Sequence, residues 1–182
     1  MKLRIAASIV IVLAASACLT LVASAGLATA ATSARDVSAL AKATYIYIAT
    51  VRKDGNQSTA VPVWFITTSD NQVLIQTSPT SWKAKRIKRG SPALVWIGER
   101  DGPAFIGKAE IVQDKALQDQ VFDQYPKKYL LARAGLFRPS RDKIDSGKIV
   151  VIRITPTRDL PDGFVSEPGT HAPALEAEAP KR

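Results

Sequence analysis

Five residues in one nine-residue stretch could act together on a ligand: Thr77, Ser78, Ser81, Lys83 and Lys85. Hydroxyl groups, backbone N–H groups at a helix start and compact ammonium charges are what a phosphate group requires. Taken alone, the run Lys83, Lys85, Arg86, Lys88 and Arg89 reads as a solvated helix face. Its place directly after a strand ending in Thr-Ser turns that reading towards an anion site. Upstream, Trp64 alone would be a core residue. Its near neighbour Pro62 cannot donate to a sheet ladder, so that segment is an edge, a bulge or a strand whose free side faces a ligand.

Other chemistries are excluded by what the chain lacks. Cys18 is its only cysteine and lies in an apolar leader; His171 is its only histidine and lies in a tail of Pro, Ala and Glu, where it reads as solvated. The body therefore has no disulfide, thiolate nucleophile, Cys- or His-based metal site or Ser-His-Asp triad. No catalytic side chain is assigned, and redox chemistry would have to come from a bound cofactor. The formal charge is +9, and residues 36–165 hold 20 Lys and Arg against 13 Asp and Glu. Such a surface suits a phosphorylated cofactor, acidic lipid or nucleic acid, or simply solubility. Nucleic acid is not expected, because regularly spaced aromatics beside the cations are missing.

The elements that would position these residues follow from periodicity and turn signals. Residues 43–51 (ATYIYIATV) read as a buried strand, and Lys53-Asp54-Gly55-Asn56 as a tight turn. Residues 57–67 read as a second strand and 72–77 as a third. A helix is predicted over 81–89, capped by Ser78 or Ser81 and stopped by Gly90. Residues 93–97 and 104–112 give two more strands, and 148–154 closes the sheet. Helical spacing covers 114–125 and 127–136, separated by Pro126, and one or two turns cover 37–42. The fold class is mainly β: a six-stranded antiparallel barrel with appended helices.

Residues 1–34 form a leader with Lys2 and Arg4 at its start and no charge from Ile5 to Ala34. It reads as a secretory signal cleaved after Ala30, so that the mature chain begins at Ala31. Alternatives are an uncleaved membrane tether through residues 5–27 and lipid attachment at Cys18. Each puts the body, residues 35–165, outside the cytoplasm. Residues 166–182 are expected to be a disordered tail.

In order and spacing, Ile48-Ala49-Thr50-Val51-Arg52-x-Asp54-Gly55, Val61-Pro62-Val63-Trp64-Phe65, Gln76-Thr77-Ser78, Ser81-x-Lys83 and the strand entry at Pro92 resemble the pyridoxamine 5'-phosphate oxidase-like split-barrel family. More narrowly they are similar to its branch that uses the deazaflavin coenzyme F-420 in place of FMN. The resemblance runs over 43–112 and returns at 148–162. It implies a homodimer with the cofactor in a groove between subunits. Thr77 matches the hydroxyl position, Lys83 the phosphate-binding lysine and Lys85 a second cationic position of the deazaflavin branch. Ser78 and Ser81 belong to the same grip, and Val61, Pro62, Val63 and Trp64 would lie along the ring system. Trp82 stands where the FMN oxidases usually have arginine, which favours the deazaflavin branch. A second basic group, Lys127, Lys128, Arg133, Arg138, Arg141 and Lys143, could hold the acidic tail of that coenzyme or lie against lipid headgroups.

The function expected is an exported oxidoreductase using FMN or F-420 and acting on a small, conjugated or quinone-like molecule. The alternative is a non-catalytic flavin or other ligand-binding module. A leader without a twin-arginine pair threads the chain unfolded, so either cofactor is acquired outside or export runs by another route.

Overall fold

The computed structural model describes residues 34–136, 139–161 and 163–173. The expected signal, its cleavage before Ala31 and lipid attachment at Cys18 lie outside the described residues. In chain order the elements are α1 (Ala34–Lys42), β1 (Ile46–Thr50), β2 (Val61–Val63), β3 (Ile66–Thr67), β4 (Val73–Thr77), α2 (Trp82–Lys88), β5 (Ala93–Ile97), β6 (Ala104–Ile111), α3 (Lys115–Lys128), α4 (Leu130–Arg133), α5 (Arg141–Asp145) and β7 (Val150–Asp159).

The strands form one seven-stranded antiparallel sheet in the order β2-β1-β5-β6-β7-β4-β3. Its outermost strands, β2 and β3, are consecutive in sequence and separated only by Trp64 and Phe65. Val63 and Ile66 are three residues apart and can be separated by at most about 11 Å, so the edges must lie close together and the sheet must curl into a barrel. This corrects the expected count of six. The single strand expected over 57–67 breaks into two short strands that bound the sheet at opposite edges. Pro62 lies in edge strand β2, opposite Tyr47, where a missing donor is tolerated.

Both faces of the sheet are covered. Ile46, Ile48, Phe65, Val73, Ile75, Val95, Ile97, Phe105, Ile152 and Ile154 fill the interior with Leu40 of α1. Outside, Leu74, Ile66 and Val151 pack under Val121, Tyr125, Tyr129 and Ala132 of the α3–α4 region. Another outer patch, Ala49, Leu94, Trp96 and Ile106, is covered by Leu160 and Phe164. Strand β5 is accordingly buried along its whole length rather than in alternation. Gly107 marks a register shift in β6; a Cβ there would come within 2.4 Å of the Ile154 side chain. The barrel bends where only glycine fits.

Two further expectations are corrected. Helix α3 runs through Pro126 rather than stopping there. Proline removes one donor and crowds the preceding turn, but Val121 and Tyr125 seat the helix on the sheet and hold it together. Disorder from Ser166 onward does not describe residues 166–173. Gln57 N donates to Thr170 O at 2.8 Å, Ala172 N to Gly55 O at 3.0 Å, and an isolated bridge joins Asn56 to His171. Composition favours disorder, yet the 52–57 turn offers this segment backbone partners.

Candidate functional site

Strand β4 ends at Thr77, and the chain turns through Ser78, Pro79 and Thr80 into α2. Ser81 caps that helix, its Oγ accepting from Ala84 N, and Thr77 Oγ1 donates to the same Ser81 Oγ at 3.1 Å. Ser78 Oγ accepts from Thr80 N at 3.2 Å and pairs with Thr80 Oγ1 at 2.8 Å. The hydroxyls of Thr77 and Ser78 thus shape the turn that launches the helix. Gly90, with φ of +92°, lets the chain leave it.

The first turn of α2 borders a cleft of about 280 Å³ lined by Ile48, Thr50, Arg52, Ser58, Thr59, Val61, Ser81, Trp82, Lys83 and Arg86. Burial holds the Lys83 ammonium below the usual lysine range. The Arg86 guanidinium is also lowered, first by burial and then by the positive charges of Arg52 and Arg89, with Asp54 opposing. Arg86 Nη1 donates to Thr50 Oγ1 at 3.2 Å, and Thr50 N donates to Ser58 Oγ at 3.0 Å. Among the described residues no carboxylate lies within ion-pair distance of Arg52, Lys83 or Arg86. Three cations line one small cleft and no carboxylate lines it, so a bound anion would stabilise the site.

The other side of the β2 strand borders a second hollow of about 390 Å³, lined by Tyr45, Pro62, Val63, Trp64, Gln76 and Tyr125. Its geometry depends on the crossing between β2 and β3. Trp64 and Phe65 lie in neither strand, so tyrosines serve their backbone groups. Tyr125 Oη donates to Trp64 O at 2.8 Å; Tyr129 Oη donates to Phe65 O at 2.7 Å and accepts from Phe65 N at 2.8 Å. The Trp64 and Tyr129 rings stack with centroids 4.5 Å apart and planes within 7°. Burial raises both tyrosine hydroxyls, Tyr129 to about 12, so both remain protonated donors at neutral pH.

Of the residues singled out from sequence, Ser81, Lys83 and Val61 come together at the cleft, and Pro62, Val63 and Trp64 at the adjoining hollow. Lys85 does not join them. It is exposed, its Nζ 5.1 Å from the centroid of the Trp82 ring, and it borders a different groove with Lys88 and Glu110. Arg86 stands in its place, and Arg52 and Thr50 arrive from β1 and the turn after it. Helical spacing could have found Arg86, since residues three apart share a face and residues two apart do not. The site offers a cationic cleft beside a hollow lined partly by aromatic side chains. Neither lining contains Asp, Glu, His or Cys.

The fold is a split barrel with a cationic cleft at the start of its short helix. The sequence profile of pyridoxamine 5'-phosphate oxidase matches residues 32–158, and the chain belongs to that family. Members of the family generally bind flavins. Among solved structures, a conserved hypothetical protein of Mycobacterium tuberculosis is 19% identical, covering 78% of this chain and 94% of its own with a TM-score of 0.54. A Listeria innocua protein, provisionally a pyridoxamine 5'-phosphate oxidase, is 17% identical over 69% of this chain and 94% of its own, with a TM-score of 0.52. A heme storage protein of Vibrio cholerae is 16% identical over 74% and 94%, also with a TM-score of 0.52. These likenesses concern the fold. No curated protein is significantly similar in sequence.

Proposed function

We propose that the chain is an exported flavin- or deazaflavin-dependent oxidoreductase whose cofactor phosphate sits in the Arg52–Lys83–Arg86 cleft. The observation that carries the reading is this cluster of cations, of which Lys83 and Arg86 are partly desolvated and none has a carboxylate within ion-pair distance, beside a second hollow across β2. Ser81 Oγ and the first backbone N–H groups of α2 would add neutral donors to the cationic ones. Val61, Pro62 and Val63 of the edge strand β2, and Trp64 just after it, would border the ring system. When bound, FMN or F-420 supplies hydride or electron transfer. The residues of this chain then bind the phosphate, orient the ring and exclude water. Trp82, 70% exposed at the mouth of the cleft, is the residue that turns the choice towards F-420.

The apolar surface around the site supports a two-fold dimer: Tyr45, Val61 and Trp82 are all exposed beside the cleft or hollow. A second subunit would cover them and close the groove. Light scattering of cofactor-saturated protein tests this, and a monomer would contradict the shared groove.

The absorbance spectrum of the purified chain, dialysed with FMN, with F-420 and with neither, tests the cofactor. Retention of either supports the reading, and the one retained identifies the branch. Retention without turnover of quinone-like acceptors would leave a ligand-binding module. Retention of neither would refute cofactor binding.

A further inference from the structure

Residues 127–136 carry two properties seldom combined on a water-facing surface. Their charged members are Lys127, Lys128 and Arg133, with no acid among them, while Leu130, Leu131 and Leu136 are 76%, 48% and 56% exposed. The fold makes this arrangement by turning Tyr129 and Ala132 inward onto Ile66, Leu74 and Val151, which leaves the leucines outside. One exposed leucine needs no explanation; three within seven residues, bordered by cations, do. None of these residues lines the cationic cleft or the hollow beside Trp64. Lys128 directs its Nζ over the Phe65 ring at 3.4 Å, so Lys127 and Arg133 are the cations free to meet a partner. They border a shallow groove that also contains Asp123.

We infer that residues 127–136 dock the body onto an anionic lipid bilayer, with the leucines at the acyl boundary and Lys127 and Arg133 at headgroup phosphates. Charge complementarity selects this occupant. Apposing two copies through this patch about a two-fold axis would bring its cations against one another, whereas anionic headgroups neutralise them. Three leucines also offer far less surface than a stable protein interface needs. No described helix is long and apolar enough to cross a membrane, so contact is at the interface and not through it.

The test reads the patch itself, because the leader of the full chain could hold it on vesicles independently. An environment-sensitive dye is attached at Leu131→Cys in a Cys18→Ser background, with Asp70→Cys as the control position. Vesicles of phosphatidylcholine alone and of phosphatidylcholine with phosphatidylglycerol are added. The inference predicts a blue shift at position 131 with the anionic vesicles, reversed by high salt, and none at position 70. Adding Lys127→Gln and Arg133→Gln should weaken that response by roughly fivefold for each cation removed. The inference is overturned if bound protein shows no shift at position 131, or if no vesicle binding occurs. A shift that needs no vesicles and grows with protein concentration would also overturn it, because a second copy would then cover the face.

Discussion

Tyr129→Phe removes one oxygen atom and, with it, both hydrogen bonds to the backbone of Phe65. In the folded protein that hydroxyl donates to Phe65 O at 2.7 Å and accepts from Phe65 N at 2.8 Å, where Phe65 is fully buried. No strand partner can replace them, because Phe65 lies between β2 and β3. Each stranded buried group costs about 1–3 kcal/mol, so the substitution should destabilise the fold by about 2–6 kcal/mol. For a chain of this size each kcal/mol lowers Tm by about 2–4 °C, giving a fall of about 4–24 °C. The phenylalanine ring keeps the stack on Trp64, so the loss isolates the hydroxyl. Tyr125→Phe removes the donation to Trp64 O and the contact of that hydroxyl with the Gln76 backbone, and should also lower Tm. Thermal unfolding followed by circular dichroism measures all three proteins. If Tyr129→Phe melts with the parent, the crossing is not latched by tyrosine and the account of how the barrel edges meet is wrong.

Lys83→Met should weaken FMN binding by about ten- to a hundredfold, the worth of one charge-assisted contact, while Lys85→Met should change it little because Lys85 borders another groove. Equilibrium titration compares them, and equal losses would remove the assignment of the cleft. Burial holds Lys128 down at about 8, against 10.5 in the unfolded chain. Between those values the unfolded chain binds more protons, so folding stability should rise with pH from about 8 to 10.5. Urea unfolding across that window should show the rise in the parent and a smaller one in Lys128→Met. Truncation after Val165 removes the backbone partners of Gln57 and should increase amide exchange in the 52–57 turn, read by mass spectrometry.

The stretch 72–90 is legible in sequence because its signals are local: a β-branched strand, a serine cap on α2 and a glycine in the left-handed region after it. Lys83 and Ser81 follow from those signals directly. The crossing at Trp64-Phe65 is not legible, since closing a barrel depends on strands far away in sequence and on two tyrosines in a later region. The same limit hid the role of α3, whose proline is tolerated for reasons of packing against β3 and β4. Arg86 is set on one helix face with Lys83 by its spacing, whereas Lys85 is expected through its match to a second cationic position of the deazaflavin branch, which carries no helical phase. Arg52 depends on how the β1–β2 connection folds back, and Thr50 becomes its neighbour in the cleft only there.

Comparing riboflavin with FMN tests the phosphate grip most directly, because the two share a ring and differ in the phosphate. Titrating the purified chain with each, by quenching of flavin fluorescence, should give FMN at least about tenfold tighter binding. That preference should collapse in a Lys83→Met, Arg86→Gln double variant while riboflavin affinity stays near the parent's. Parallel titration with F-420 guards against a pure deazaflavin protein, whose binding should fall in the same double variant. Equal affinity for FMN and riboflavin together with unchanged F-420 binding in the variant, or no binding of any of the three, would contradict the account.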